Sequence, residues 1–233
     1  MKSEMLHPSA DVGTHEKVLE LLSEEKRGRV LDAPAGEGAL SKALSDMGFS
    51  VSALDIDTSV FKAREANIEF KAGDLNKAID WPDGFFDYVI FVEGIEHLEN
   101  PHNVVRELAR VLKRGGKFII TTPNITSLAS RIKFLLFGSH RYFNSKIDAS
   151  DKPGHSHINP VSFSELEFIL TRSGLAIETI TANNARKYTP PILRPLEHIL
   201  RWANVYFNKA YNEMLLHPSL LFGDILIIKA RKA

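Results

Sequence analysis

The 233-residue chain contains no cysteine, which excludes a disulfide framework and any zinc site built on thiolates. It has no excess of either charge, because 29 basic residues balance 29 acidic ones, so a surface for nucleic acid is not expected. No apolar run approaches the length of a membrane span, and residues 1–8 contain no signal-peptide core. These absences favour a cytoplasmic protein without a transmembrane segment.

What the sequence does contain is a regular alternation of short apolar strands with amphipathic helices. This pattern is typical of a parallel sheet that carries helices on both faces. It predicts a single Rossmann-like, doubly wound α/β domain over residues 1–233, with a mostly parallel seven-stranded sheet. The predicted strands are Arg29–Ala33, Ser50–Leu54, Ile68–Lys71, Phe86–Val92, Lys117–Thr122, Leu175–Ala182 and Ile225–Lys229.

Helices are predicted between these strands, and the pattern loosens in two places. A short helix is expected over Val60–Ala66, and a longer one begins at Pro101 and ends at Gly115–Gly116. Residues 124–160 and 185–222 are predicted to be insertions outside the sheet. The second contains a long amphipathic segment, Leu196–Leu215, and is expected to form a C-terminal helical lid.

The turn that follows the first strand predicts a ligand site. An apolar strand leads into Asp32, and the turn then carries Gly36 and Gly38, the arrangement in which an α/β sheet presents backbone N–H groups to a nucleotide-like ligand. We expect both glycines to let the ligand approach the backbone. Ser41 stands where a dinucleotide fingerprint has its third glycine, and Glu37 would repel a phosphate. A phosphate-free ribose ligand is therefore favoured over NAD.

Two carboxylates near this turn are candidates for contacts with that ligand. Asp55 closes the second strand, where a carboxylate can accept hydrogen bonds from ribose hydroxyls; the alternative is a surface aspartate that caps the next helix. Asp32 suits a cationic group or an amine.

Several segments, in the same order, resemble those of the class I S-adenosylmethionine-dependent methyltransferases. They are Val30–Leu40 (the first motif), Ala53–Asp57, Ala72–Leu75, Trp81–Val89 and Leu112–Lys117. Pro34 stands in place of the family's first glycine, and we expect a trans-proline there to preserve the turn. The resemblance implies that Asp55 binds ribose and Asp74 the adenine amine. The implied S-adenosylmethionine-binding residues are Asp32, Ala33, Pro34, Ala35, Gly36, Gly38, Asp55, Ile56, Asp74, Leu75, Val92 and Glu93.

The segment after the fourth strand carries a cluster of carboxylates and imidazole. Glu93, Glu96 and His97 would share a face if the segment formed one helical turn, and such a set can bind a divalent cation or serve as acid and base. The alternative is that Glu93 only contacts the cofactor while the other two cap or pack beside the next helix.

This segment resembles the Glu-x-x-Glu-His motif of the ubiquinone-biosynthesis O-methyltransferases and of the small-RNA 3′-end 2′-O-methyltransferases. That likeness implies that Glu93, Glu96 and His97 are ligands of a divalent metal such as Mg²⁺. Without a metal, His97, His155 and His157 are the candidate catalytic bases.

The regions outside the sheet are expected to select the acceptor. The basic residues of the first insertion predict either an anionic acceptor or a solvated lid; they are Arg131, Lys133, His140, Arg141 and Lys146. The apolar side chains of Ile192–Phe222 suit dimer packing, a hydrophobic lid, or contact with a lipid or a membrane surface. We predict an enzyme that O-methylates a small molecule. The alternatives are an RNA 2′-O-methyltransferase and a non-catalytic S-adenosylmethionine-binding protein.

Overall fold

A computed structural model describes residues 6–7, 10–63, 67–144, 146–147, 150–151, 154, 156–184 and 217–233. Seven strands form one sheet in the order β3-β2-β1-β4-β5-β7-β6. The strands are β1 Arg29–Asp32, β2 Ser50–Asp55, β3 Ile68–Ala72, β4 Phe86–Val92, β5 Leu112–Pro123, β6 Leu175–Ala182 and β7 Ile225–Lys232. Only β7 runs against its neighbours, since it pairs antiparallel with both β5 and β6. The predicted mostly parallel, doubly wound sheet is confirmed.

Helices cover both faces of this sheet. They are α1 Thr14–Leu22, α2 Ala39–Asp46, α3 Pro101–Val111, α4 Leu128–Phe137, α5 Phe163–Arg172 and α6 Pro218–Phe222, with a 3-10 helix at Ile95–His97. Buried side chains of α1 and α2 pack on one face of the sheet, and those of α3 and α5 on the other. Local capping fixes several helix starts: Asn100 accepts a hydrogen bond from the Asn103 amide just before Pro101.

The predicted helix over Val60–Ala66 is wrong for residues 60–63, which are not helical; residues 64–66 lie outside the described part of the chain. The physical reason is burial at a spacing of two residues. Phe61 and Ala63 both pack into a small cluster with Ala35 and Ala53, and the Phe61 ring stacks on Phe70 with 4.3 Å between centroids. An extended segment can bury both side chains on one face, whereas a helical turn would separate them.

Strand β5 begins earlier than predicted, at Leu112 rather than Lys117, and α3 ends at Val111 rather than at the glycine pair. The two pairings Phe86 with Leu112 and Tyr88 with Lys117 bracket an irregularity that contains Gly115 and Gly116. A Cβ on Gly116 would lie 2.9 Å from the Asp87 carbonyl oxygen, so this glycine permits a close backbone approach. Gly115 and Gly116 therefore lie within β5, where they permit its irregular pairing with β4, and do not end α3.

Of the two predicted insertions, the first contains α4, and most of the second, including Leu196–Leu215, lies outside the described residues. Its last part, where the structure describes it, forms α6. The side-chain amide nitrogen of Asn124, just after β5, lies 2.9–3.0 Å from three backbone carbonyl oxygens, those of Ser219, Leu220 and Gly223. These contacts hold α6 beside the sheet. Among the described helices, none combines the length and the apolar character needed to cross a membrane.

Candidate active site

A cavity of about 1030 Å³ opens at the carboxyl ends of β1, β2 and β4. This is the edge at which open parallel sheets bind ligands, on either side of the point where the strand order reverses. Most of the residues predicted to bind the cofactor line it: Asp32, Pro34, Ala35, Gly36, Asp55, Ile56, Asp74, Leu75, Val92 and Glu93. Ala33 and Gly38 do not. Ala33 is fully buried and its amide donates to the Ile90 carbonyl, 3.0 Å away.

Asp55 is held by the glycine turn itself. One carboxylate oxygen accepts a hydrogen bond from the Gly36 amide at 2.8 Å, and the other accepts one from the Asp57 amide at 3.0 Å. Gly36 has a φ of +53°, a conformation that favours glycine. The turn therefore holds Asp55 at the cavity wall, where its carboxylate is buried, so Asp55 is not the surface aspartate of the alternative; its contact with a ligand stays a prediction.

Gly38 serves packing instead of ligand approach. It has a φ of +89°, and a Cβ there would lie 2.7 Å from both the Ala63 side chain and the Phe61 ring. The prediction that Gly38 lets a ligand approach the backbone is therefore wrong. Its missing Cβ leaves room for Phe61 and Ala63 instead. The expected trans geometry of Pro34 is also wrong, since the Ala33–Pro34 bond is cis.

Asp32 is buried beneath the turn, and Ser41 is its partner. The Ser41 hydroxyl donates to the Asp32 carboxylate at 2.5 Å. Burial raises the pKa of Asp32 to about 7, although the bond from Ser41 acts in the opposite direction. Ser41, which stood out only as a missing third glycine, is thus a polar residue of the site that sequence reasoning missed.

The outer carboxylates of the cavity are partly neutralised. Lys62 lies 3.1 Å from Glu37, and hydrogen bonding to Lys62 lowers the pKa of Glu37. Because Lys62 offsets its charge, Glu37 would repel a phosphate less strongly than its position in the sequence suggests. Asp74 accepts a hydrogen bond from the Asn76 amide at 2.9 Å, and Lys77 lies 3.5 Å away.

Glu93 directly follows β4, has a φ of +45°, and contacts the N-terminal segment. Its carboxylate accepts hydrogen bonds from the Asp11 amide, at 3.2 and 3.4 Å, and from the Thr14 hydroxyl, at 3.4 Å. Burial raises its pKa to about 7. Asp11 and Thr14 are site residues that no local motif could have indicated, because they lie about 80 positions away in the chain.

Glu96, His97 and His157 form the group best suited to a cation in the part of the chain that the structure describes. Each offers a ligand atom within 4.8 Å of the others. His157 thus takes the place predicted for Glu93, which the structure does not bring into this group. The reason is local: the segment forms a 3-10 turn over Ile95–His97 only, so Glu93 is not on the same helical face as Glu96.

Two atoms of this group are buried without a hydrogen-bond partner among the described residues, Glu96 Oε1 and His157 Nδ1. The other Glu96 oxygen accepts a hydrogen bond from the Thr122 hydroxyl at 3.2 Å. Burial raises the pKa of Glu96 to about 8 and lowers the pKa of His157. Buried polar atoms that lack partners are uncommon, so the pair indicates a place for a proton donor or a cation.

Backbone contacts bring His157 to this place from a distant loop. The Glu96 carbonyl accepts hydrogen bonds from the amides of Ile158 and Asn159, at 2.8 and 3.0 Å. His97 Nδ1 lies 3.0 Å from the Ser156 carbonyl oxygen, which can only accept, so Nδ1 carries the proton and Nε2 the lone pair. His155, the third predicted base, lies outside the described residues.

Comparison with known proteins identifies the family of the chain. Residues 12–180 match the family model described as a methyltransferase domain. The chain is 37% identical over 95 residues to the demethylmenaquinone methyltransferase of Renibacterium salmoninarum, covering 40% of each protein. It is 28% identical over 130 residues to the ubiquinone biosynthesis O-methyltransferase of Xanthomonas oryzae pv. oryzae, covering 49% of this chain and 54% of that one. The matches therefore span about half the length of these curated relatives.

A solved S-adenosylmethionine-dependent methyltransferase from Mesorhizobium loti has the same fold, with a TM-score of 0.60, 18% identity, and coverage of 94% of this chain and 99% of that one. At that identity the likeness establishes the fold alone. The match of the family model, which spans most of the chain, establishes membership. The protein belongs to the class I S-adenosylmethionine-dependent methyltransferases.

Proposed function

We propose that this enzyme transfers the methyl group of S-adenosylmethionine to a hydroxyl oxygen of a small molecule. The observation that carries the proposal is the group of Glu96, His97 and His157, in which one polar atom of Glu96 and one of His157 are buried without partners among the described residues. His97 and His157 also line the cavity, so the group adjoins the space that an acceptor would enter. The names of the two curated relatives, which refer to ubiquinone and demethylmenaquinone, support a small acceptor.

The cofactor half of the cavity fits S-adenosylmethionine. Asp55, which the turn amides hold in place, would bind the ribose hydroxyls, and Asp74 with Leu75 would bind the adenine. Gly36 leaves the backbone open to the ligand, and Asp32 and Glu93 would face the polar end of the cofactor. When bound, the cofactor supplies an electrophilic methyl group on a sulfonium.

The three residues of this group also fit a divalent cation, because one carboxylate and two imidazoles form a mixed O and N donor set. Glu96, His97 and His157 would hold it, and the Ser156 carbonyl would orient His97 from behind. Such a cation supplies positive charge that lowers the pKa of a nearby hydroxyl.

The chain's own residues account for the rest of the chemistry. His157 is kept neutral by burial and can accept the proton of the acceptor hydroxyl at a ring nitrogen. The loop hydrogen bonds to the Glu96 carbonyl hold it in place. Because displacement at a methyl carbon requires the acceptor oxygen in line with the sulfonium, we expect positioning by this fixed loop to supply much of the rate.

The proposal is tested in two steps on the full-length protein. Titration calorimetry with S-adenosylmethionine and with NAD comes first; binding of NAD alone would contradict the cofactor assignment. The second step measures Co²⁺ binding by its visible absorption, in the wild-type protein and in His157→Ala. We expect the wild-type protein to give a signal that the variant loses. Equal signals would remove the metal from the proposal and leave His157 as the base.

Production of S-adenosylhomocysteine is then followed with a panel of phenols, catechols, sugars and amines. A preference for amines over all hydroxyl compounds would contradict O-methylation. A non-catalytic binding protein would bind the cofactor in the first step and give no product with any acceptor class.

A further inference from the structure

The loop that follows α4 holds one residue in a strained backbone conformation. Among the described residues other than glycine, only Glu93 and Tyr142 have a positive φ, +45° and +67°. For a residue with a Cβ this left-handed conformation costs free energy, and it persists where the surrounding structure enforces it, often at functional sites. Glu93 directly follows β4 and lines the cavity. Tyr142 lies in a different loop, and its strain calls for a separate reason.

A single residue, Asp11, joins the two strained positions. Its carboxylate accepts a hydrogen bond from the Tyr142 hydroxyl at 2.8 Å, and its backbone amide donates to the Glu93 carboxylate at 3.2 Å. Burial raises the pKa of Tyr142 further above its ordinary value, so the phenol stays protonated and is the donor. The N-terminal segment is thereby bound both to the residue after β4 and to the loop after α4.

The backbone of Tyr142 contacts the group of Glu96, His97 and His157. Burial and the charge of His97 lower the pKa of His157, whereas a hydrogen bond to the Tyr142 backbone raises it. A bond that raises the pKa of an imidazole is one that the ring donates, so the Tyr142 carbonyl is the acceptor. The bond therefore keeps a proton on one ring nitrogen of His157 and a lone pair on the other.

Neighbouring contacts hold this loop on both sides of Tyr142. The Phe143 ring packs edge-on against the His157 ring, with 5.3 Å between centroids, and the Phe143 carbonyl accepts a hydrogen bond from Lys133 of α4 at 3.0 Å. Arg141 is paired with Asp224, which lies directly before β7. The loop is therefore fixed to α4 and to the sheet, as a strained residue within it requires.

From these contacts we propose that Tyr142 is a positioning residue for methyl transfer. Its hydroxyl anchors the loop to Asp11, beside Glu93 of the cavity, and its carbonyl orients His157 on the acceptor side. Tyr142 is not among the residues that line the cavity, so it acts through His157. The proposal rests on the proposed function and deepens it, because it gives the means by which the acceptor-side imidazole is set relative to the cofactor. Misplacement of a reacting group by about 1 Å can cost about 100-fold in rate.

Tyr142→Phe tests the proposal, because it removes the hydroxyl and keeps the ring and the backbone. Tyr88→Phe is the matched control: the Tyr88 hydroxyl also donates over 2.8 Å, to the Lys26 carbonyl, and Tyr88 does not line the cavity. The readout is the proton–nitrogen correlation spectrum of the histidine rings in the full-length, metal-free protein at about pH 8, where an ordinary imidazole is neutral. The spectrum of His157→Gln assigns the His157 signals.

We expect a single His157 tautomer in the wild-type protein and in Tyr88→Phe, and a mixture of tautomers or exchange-broadened ring signals in Tyr142→Phe. Asp11→Ala should reproduce the effect of Tyr142→Phe. Asp11→Asn should keep the single tautomer, because the amide side chain retains an oxygen that accepts from the phenol. Mixed tautomers in the wild-type protein, unchanged His157 signals in Tyr142→Phe, or the same change in Tyr88→Phe would overturn the proposal.

The second readout is kinetic and uses the hydroxyl compound of the acceptor panel with the highest turnover. In Tyr142→Phe, kcat should fall about 10-fold, while the calorimetric affinity for S-adenosylmethionine changes by less than about twofold. Weaker cofactor binding with an unchanged kcat would overturn the proposal. If no hydroxyl compound gives product, the proposed O-methylation fails, but the NMR comparison needs no turnover and still decides the role of Tyr142. The two failures are therefore distinguishable.

Discussion

The two halves of the cavity differ in whether their polar side chains have hydrogen-bond partners within the described part of the chain. In the cofactor half, the carboxylate of Asp55 already has backbone donors, and that of Asp32 is bonded to Ser41. In the catalytic half, where His97 and His157 line the cavity, Glu96 is buried and His157 is half-buried, and each has a buried atom that no described residue satisfies. The first half is therefore a rigid receptor that exists without its ligand. The second half is incomplete by itself, since polar atoms buried without partners cost free energy that a proton, an acceptor or a cation would recover.

The largest expected effect lies in the catalytic half. Glu96→Gln should reduce kcat by about 10²–10⁴, the range over which a positioned acid, base or ligand contributes. The melting temperature should not fall, because the pKa of Glu96 is raised to about 8 and the neutral amide resembles the protonated acid. Steady-state kinetics and thermal unfolding measure the two quantities. Glu24→Gln, at an exposed position outside the cavity, is the control. Loss of both activity and folding in Glu96→Gln would mean that this half is structural.

The next effect tests the rigidity of the cofactor half. Gly38→Ala should lower the free energy of unfolding by about 3 kcal/mol, because a Cβ would collide with Phe61 and Ala63 at 2.7 Å in a left-handed conformation. Gly138→Ala is the matched control: its φ is +69°, but a Cβ there would meet nothing within 4 Å. It should cost only about 1 kcal/mol, for the backbone alone. Urea unfolding of both variants measures the difference; equal costs would show that the packing behind the turn is adaptable.

The two halves also differ in how far the sequence alone could predict them. The cofactor half comes from contiguous segments, in which Asp32, Gly36 and Asp55 follow directly from strand ends and turn chemistry. The catalytic half depends on a pairing between Glu96 and residues 158–159, a contact that no periodicity encodes. The likeness that named Glu93 as a ligand could not show that its side chain would bind Asp11 instead. The helix expected over Val60–Ala66 failed for a related reason, since tertiary burial of Phe61 overrode local propensity.

A smaller effect is expected from the carboxylate that the turn holds. Asp55→Asn should weaken S-adenosylmethionine binding by about 10- to 100-fold, the equivalent of one or two charge-assisted hydrogen bonds. Asp46→Asn, at an exposed position on α2, provides the same chemical change without a role in the cavity. Calorimetry measures both affinities. If Asp55→Asn bound the cofactor as tightly as the wild-type protein does, Asp55 would serve only to shape the turn.

The last expected effect concerns the pH dependence of stability, through the proton on Asp32. Its pKa in the folded protein is about 7, above the value of about 4 that an unfolded aspartate has. Between these two values the folded protein holds a proton that the unfolded chain releases, so the free energy of unfolding falls as the pH rises from about 4 to about 7. Asp32→Asn cannot release that proton, and its free energy of unfolding should lose this part of the pH dependence, which amounts to about 4 kcal/mol for a pKa that differs by about three between the two states.

The measurement is urea unfolding of wild type and Asp32→Asn at several pH values, with the difference between the two proteins plotted against pH. Taking the difference removes the contributions of the other carboxylates, Glu93 and Glu96 included, to the extent that they do not interact with Asp32. Ser41→Ala then tests how the Ser41 hydroxyl changes the pKa of Asp32. Because the Ser41 hydroxyl stabilises the ionised form, its removal should move the midpoint of the difference curve to higher pH. A curve that is flat with pH would mean that Asp32 stays ionised in the folded state, and that the cofactor half, like the catalytic half, awaits a positive group from outside the chain.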